Sequence, residues 1–467
     1  MTRLRGRPGY AEAKLQLRPG ESRCGATKAR PLFFQRRFFP MWTALTLGAF
    51  SDNTLRQALL IGIAYGVIAV PGFANADDAL PVIGSFLPIA ILVFSSVSGQ
   101  IAEKYETSML FRRLKFAEVM LMSVTAIGFV LGFGPLVVAM LFAMGAQSAF
   151  FSPVRIAAMP KYLHADELVR GNAFCSGGLF TSILLGYFFG GLLIARPHGG
   201  AMVGGLLIAS SLTGWLAILR APRASADAPD LALSWNGAAQ TLRMIGFAYS
   251  APGVSRPISG VAIFYLMSTA ITVLLPIYAR DTLNADETVA TAIMGLFAIG
   301  AGVGAMSASM LSKKSNGLGF SAFGVAAASL TSLAIVGLTG LIAVSPGAAP
   351  VNALDLARTP TGFALAFMLW LSAVSMGLYI VPLQAAVQRR APAAQRARIM
   401  AAGNMLNAAA AIAGSLSVLW ITRTDIKPEQ AFFAVGAVQA AIAAYMLHRR
   451  RTTPEGLYDE SLNIPGA

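Results

Sequence analysis

Residues 199–219 read GGAMVGGLLIASSLTGWLAIL, residues 220–256 read RAPRASADAPDLALSWNGAAQTLRMIGFAYSAPGVSR, and residues 257–279 read PISGVAIFYLMSTAITVLLPIYA. The outer two segments are apolar throughout and long enough to cross a hydrocarbon core of ~30 Å, which takes roughly 20 helical residues. The middle segment is polar and carries Arg220, Arg223, Arg243 and Arg256. Five more apolar runs precede this break, near 38–70, 79–102, 110–132, 135–158 and 168–195. Five others follow it, near 288–311, 318–345, 361–387, 398–421 and 429–448. Six runs, a long loop and six runs form an internal duplication of hydropathy. They predict an all-α membrane protein of twelve transmembrane helices in two six-helix, pseudo-symmetric halves.

Composition agrees. Of 467 residues, 56% are hydrophobic and only 12% charged, where soluble domains average about 25% charged. The mean hydropathy is +0.64. The expected organisation is a basic tail at 1–37, a first half at 38–219, a linker at 220–256, a second half at 257–448 and a tail at 449–467. No apolar core of a secretory signal lies in residues 1–37, so that tail reads as disordered and cytoplasmic.

Loop charge sets the orientation. With the N-terminus inside, 30 of the 36 Lys and Arg residues fall in the tails and cytoplasmic loops, five fall in the opposite loops, and Arg56 lies within the first run. This is a strong positive-inside pattern, with both termini cytoplasmic. It also accounts for the net charge of +15 without nucleic acid. Cys24 and Cys175 imply no disulfide framework, and His164, His198 and His448 lack metal-ligand spacing. No metal or cofactor is expected. No G-x-x-x-x-G-K-[ST] is present, and no histidine has an aspartate five positions later, as the H-x-x-x-x-D motif of acyltransferases requires.

Charged residues at membrane depth cost roughly 2.5–3.5 kcal/mol on insertion scales and therefore mark cavities or partners. The acids inside apolar runs are Asp52 in the first and Glu118 in the third. Arg56 is four residues after Asp52, on the same helix face, and Asn53 adds an amide beside them. The pair reads as lining a transport path, with mutual neutralisation as the structural alternative. Glu118 lies three residues after Lys115 and reads as an i,i+3 pair at the membrane interface. Gln147 and Arg155 in the fourth run, Gln384 in the tenth, and Asn404 and Asn407 in the eleventh are further polar groups that together can line a cavity. Gly186-x-x-x-Gly190-Gly191 in the fifth run has the spacing of close helix packing.

A second trace of duplication joins Pro153-Val154 and Gly171-Asn172 to Pro382-Leu383 and Gly403-Asn404, each set spanning a helix end, a basic loop and the next helix start. Two parallel six-helix halves are the plan of the major facilitator superfamily. The segment Gly99 to Lys104, with Glu103, followed by Arg112 and Arg113, resembles a weakened form of that superfamily's loop motif. In that motif the glycine allows close helix approach and the acid locks one conformation.

Several segments together resemble one branch. Gly48-Ala49-Phe50-Ser51-Asp52-Asn53 is similar to the opening "GAF-x-DN" of the bacterial lysophospholipid transporter family. Gln147 to Arg155, Leu163 to Asn172, Leu275 to Ala279, Val381 to Gln384 and Arg398 to Asn407 resemble further segments of that family in order. The resemblance implies alternating-access flipping of lysophospholipids, such as lysophosphatidylethanolamine, across the bacterial inner membrane for re-acylation. It places Asp52 and Asn53 in the family's helix 1 motif and Arg155 at a basic position ending helix 4. Some members are fused to an acyltransferase, so a separate acyltransferase is an expected partner beside the phospholipid membrane, and the chain itself is expected to be monomeric. A helix 7 arginine of some members is absent, since Ser268 to Ile271 are uncharged. The rival readings are a superfamily carrier of another amphipathic solute or drug, and a non-transporting membrane scaffold or sensor. Buried charge argues against the scaffold.

Overall fold

The computed structural model describes residues 32–452 apart from 74, 165–166, 227, 231–236, 252, 312–317, 343–348, 393–395 and 425. Among these residues the regular structure is helical, with one isolated parallel bridge between Ala285 and Val351. The order is α1 (Phe39–Ala64), α2 (Ala76–Lys104), α3 (Thr107–Val130), α4 (Gly134–Tyr162), α5 (Leu168–Ile194), α6 (Gly199–Ile218) and α7 (Gly237–Ser250). Then follow α8 (Ser255–Ile277), α9 (Glu287–Leu311), α10 (Leu318–Thr339), α11 (Ala353–Arg358), α12 (Pro360–Arg390), α13 (Arg396–Arg423) and α14 (Pro428–Thr452). Setting aside the short α7 and α11, twelve helices of at least 20 residues match the twelve apolar runs.

Ten of the twelve are apolar and long enough to cross a membrane. The other two, α1 and α3, are long enough but carry Asp52, Asn53, Arg56 and Gln57, and Arg112, Arg113, Lys115 and Glu118, within their length. Local chemistry fixes several ends. The Asn75 side chain accepts from Asp78 N, and Asp77 and Asp78 complement the positive end of the α2 dipole. Thr359 caps Gly362 N, with Pro360 at the first helical position of α12. After Pro276 the last turn of α8 widens into a π-helix over Tyr278–Thr282.

Packing repeats with a shift of six long helices. In the first set α1 packs on α5, α2 on α4, and α3 on α4 and α6. In the second, α8 packs on α13, α9 on α12, and α10 on α12 and α14. The two sets meet along α2 with α13 and α5 with α9, pairs that the same shift interchanges.

The apolar cores show how the sets are joined. One cluster combines Leu55–Ala64, Leu80, Met144 and Val203 from the first set with Ile271–Ala279, Val289–Met294, Leu369 and Phe432 from the second. At the other end there are two separate clusters. One holds Phe38, Met41, Phe111, Val154 and Ile218, and the other Val254, Ile258, Val325, Tyr379 and Ile399. The bundle is therefore fused at one end and divided at the other. The divided end carries the basic loops.

The end of the basic tail is folded, which corrects the reading of residues 1–37 as wholly disordered. Leu32–Phe34 form a 3-10 turn, Leu32 is buried, and Phe33 meets Trp42 and Phe174. Arg37 bonds to Glu167 and to the Tyr162 carbonyl. Residues 1–31, which include Cys24, lie outside the described residues.

Candidate functional site

Gly48, Asp52 and Arg56 are spaced by four along α1 and share one stripe of the helix. Opposite Gly48 lies α3. A Cβ on Gly48 would stand 2.2 Å from Lys115 Nζ and 3.5 Å from both Glu118 carboxylate oxygens. The missing side chain is thus the notch that admits the Lys115 ammonium against α1. Lys115 Nζ bonds Glu118 Oε2 at 2.6 Å, with side chains 1% and 2% exposed. The expected i,i+3 pair forms, and it is buried inside the bundle. Phe151 of α4 supplies a ring face 4.7 Å from the same ammonium.

Helix α4 completes the cluster. Gln147 Nε2 donates to Glu118 Oε2 and to the Leu114 carbonyl, each at 3.3 Å. Ser148 Oγ donates to Asp52 Oδ2 at 3.2 Å. Asp52 lies within electrostatic reach of both Glu118 and Lys115. Within this cluster two carboxylate oxygens stay sealed from solvent without a hydrogen-bond partner among the described residues, Asp52 Oδ1 and Glu118 Oε1.

Asp52 and Arg56 form no ion pair among the described residues, which corrects the i,i+4 reading. Asp52 turns to α3 and α4 instead, where Ser148 and the Lys115–Glu118 pair meet it. Arg56 is half-buried and makes no hydrogen bond among the described residues, as does Arg155, which lies near Cys175 of α5. Asn53 Nδ2 bonds back to the Ala49 carbonyl, and its Cβ lies 2.9 Å from where a Gly186 side chain would begin. Gln384 is half-buried, Asn404 is exposed, and Asn407 keeps a buried Oδ1 without a partner. Lys115, Glu118, Gly48 and Ser148 were not among the site residues expected from sequence.

The loop motif behaves differently from the pattern it resembles. Nothing stands within 4 Å of a Cβ placed on Gly99, so that glycine admits no close helix. The Glu103 side chain is exposed and takes no hydrogen bond among the described residues, while its backbone carbonyl accepts from Ala228 N. Lys104 is half-buried in the last turn of α2, and Arg113 is exposed. Arg112 Nη2 donates to the Ala221 carbonyl. Together with Tyr162 to Pro222 and Lys161 to Ser225, this bond straps the start of the linker across α3 and α4. The Glu103 carboxylate locks no helix end among the described residues, and the linker is held by Arg112, Lys161 and Tyr162 instead.

At the fused end, polar ties cross between the two helix sets. Arg280 on the π-helical turn bonds Asp77 of α2, the Ala64 carbonyl of α1 and its neighbour Asp281. Arg423 of α13 meets Asp78 of α2, Ser415 Oγ donates to the Pro81 carbonyl, and Tyr65 donates to the Asp286 carbonyl. Gly190 lies against the Thr54 carbonyl and Gly191 against Thr291 of α9. The glycine spacing read as close packing in α5 does serve close packing, on α1 and α9.

The family model for the Major Facilitator Superfamily matches residues 82–415. No curated protein matches the chain. Among solved structures, a POT family transporter in complex with thioalcohol-conjugated peptide has a TM-score of 0.65 at 14% identity, over 90% of this chain and 98% of that one. A peptide transporter POT in complex with sulfate has a TM-score of 0.62 at 16% identity, over 88% and 94%. A bacterial homologue of the iron transporter ferroportin in the inward-facing state has 0.61 at 14% identity, over 89% and 99%. At these identities the likeness is one of fold.

Proposed function

The chain belongs to the Major Facilitator Superfamily and is a multi-pass membrane transporter, and from that premise we propose that its cargo is a single-chain phospholipid. The observation that carries this is the unequal fate of the cations. Lys115 is consumed by Glu118, whereas Arg56 and Arg155, also within the bundle, have no carboxylate partner among the described residues. A phosphate is a fitting counter-ion, because a guanidinium presents forked donors to it. The ordered motif resemblance supports the same cargo. It also supports movement toward the cytoplasmic leaflet of a bacterial inner membrane, with Asp52, Asn53, Gln147, Gln384, Asn404 and Asn407 on the path.

The acyl chain requires an apolar exit. Helices α5 and α13 offer mostly small and apolar residues to border it, from Gly177 to Gly191 and from Ala408 to Leu419. The packing assigns these helices to different seams, α5 with α9 and α13 with α2. A chain leaving the cavity passes where either seam parts toward the divided end. With the basic loops in the cytoplasm, the divided end faces inward.

The test is accumulation of labelled lysophosphatidylethanolamine in vesicles with and without the protein, beside a diacyl control. Protein-dependent uptake of the lysolipid alone is expected, and Arg155→Ala should reduce it about tenfold or more, the cost of losing one charge-assisted hydrogen bond of ~1.5–3 kcal/mol. Equal lysolipid uptake in both vesicle types rejects the cargo and leaves another amphipathic solute as the substrate.

A further inference from the structure

We propose that Asp52, Lys115 and Glu118 form a proton-binding site that holds one proton shared between the two carboxylates. The cluster has two acids and one ammonium. Lys115 is committed to Glu118 Oε2 and fills the notch at Gly48. Asp52 Oδ2 receives only the neutral hydroxyl of Ser148. Glu118 is buried and Asp52 half-buried; fully ionised, the group carries one negative charge that no cation pairs with among the described residues, and each acid keeps one sealed oxygen with no donor there.

Uncompensated buried charge costs several kcal/mol, and like charges sharing a site resist joint ionisation. A single proton on Asp52 Oδ1 or Glu118 Oε1 removes both defects, since it cancels the excess charge and supplies a donor where none exists. Proton transfer between the acids leaves the total unchanged, so the proton belongs to the pair.

Among the described residues the surroundings offer no substitute: on α3 the other charges are Arg112, bonded to the Ala221 carbonyl, and the exposed Arg113, and on α5 Arg170 lies over the Phe174 ring. On α1 the next charge is Arg56, which makes no ion pair with Asp52. On α4 the next is Arg155, two turns beyond Ser148 and beside Cys175 of α5. Helix α6 meets α1 through the Ser210 hydroxyl, bonded to Ser51, and brings no charge. On α2, Asp77 and Asp78 lie at the fused end and Glu103 and Lys104 at the other, all far along the helix from this level. Helices α8 and α9 touch α1 near the fused end, where Arg280 and Asp281 follow α8 and Glu287 opens α9. A metal ion fits poorly, because Lys115 holds the centre and the described residues contain no group of three acids, histidines or cysteines able to hold one.

This inference does not depend on the lysolipid reading, and its test needs no substrate. The full-length chain in lipid nanodiscs is followed by infrared difference spectroscopy as the pH is stepped from alkaline to mildly acidic. One C=O stretch of a non-hydrated carboxylic acid is expected to appear. Asp52→Asn and Glu118→Gln should each abolish it, because either leaves one acid matched by Lys115. Glu118→Asp should retain it. The wild-type spectrum alone is decisive if the variants fold poorly, since absence of the band overturns the site. A band removed by only one of the two neutral variants overturns the sharing.

Discussion

The Arg280 guanidinium on the π-helical turn after α8 is bound to the Asp77 carboxylate in the first turn of α2. This ion pair spans the two helix sets at the end where they share one core. The same guanidinium also holds Asp281 and the Ala64 carbonyl, so one side chain ties α8, α2 and the end of α1.

Arg280→Ala should therefore release the fused end. Partly exposed ion pairs contribute about 0.2–1 kcal/mol each, so loss of the whole knot shifts the balance between conformations by roughly tenfold. Arg196 and Glu287 lie on opposite sides of a cleft of about 290 Å³ at this end, between α5 and α9. Spin labels placed at these two positions should show a longer-distance population in Arg280→Ala. An unchanged distance distribution would mean that the apolar core alone keeps the end shut.

Gly48→Ala should disturb the charge cluster without touching a charge. Its methyl would begin 2.2 Å from Lys115 Nζ, so the ammonium must shift, and it is expected to lose Glu118. Separating a buried pair costs about 3–5 kcal/mol. The thermal midpoint of the purified protein should fall for Gly48→Ala and for Lys115→Ala, and the two losses should not add, because both orphan the same carboxylate. Additive losses would show that Lys115 swings aside and keeps its partner.

The Arg37–Glu167 bond predicts a pH response in the chain leading into α1. The hydrogen bond from Arg37 holds the Glu167 carboxyl below the usual glutamate range. A depressed acid contributes fully above its unfolded value and loses that contribution as the pH falls through the folded one. A spin label at Phe34, which is exposed beside this contact, should gain mobility on acidification below the ordinary glutamate range. In Glu167→Gln it should be mobile already at neutral pH.

Orientation is open to direct labelling. In a background without Cys24 and Cys175, a cysteine at the exposed Arg358 should react with an impermeant thiol reagent from outside intact cells, and one at the exposed Arg113 should not. The basis is the 30 to 5 division of basic residues. Reaction at Arg113 would invert the topology.

The helices were legible because each apolar run is bounded by charge or polar loop. Even α1 and α3, which the polar residues within them set apart from the other ten, stand out as apolar runs near 38–70 and 110–132. The site was legible only in part. Asp52 stands out as an acid in an apolar run, but its neighbour at i+4 is the partner that sequence spacing favours, and the folded chain brings in others. Ser148 and Lys115 are 96 and 63 residues away, and no local periodicity reports contact over that separation. The local signals were Glu118, the second acid in an apolar run and three residues after Lys115, and Gly48, one turn before Asp52, which admits a neighbour that a larger residue excludes. The Gly99 reading failed for the opposite reason: the spacing was present, but no helix crosses there.

The α5–α9 seam gives the most discriminating packing prediction. A Cβ on Gly191 would stand 2.3 Å from Thr291 Oγ1, 3.0 Å from its Cγ2 and 3.1 Å from its Cβ. Close approach of small residues is the main source of helix association in lipid, where no hydrophobic difference favours it. Gly191→Ala should therefore push α5 off α9 near the fused end, while leaving the Gly190 contact with the Thr54 carbonyl of α1 in place. Transport should fall, since the closed end no longer seals, while insertion and yield stay near wild type. Thr291→Ala removes the two nearest obstructing atoms, so the double variant Gly191→Ala, Thr291→Ala should recover much of the loss. A cysteine pair on α5 and α9 should cross-link less readily in the single variant and regain its yield in the double. If the double variant transports no better than Gly191→Ala, the glycine is required for something other than its clearance from Thr291, and the seam is not where the two helix sets close.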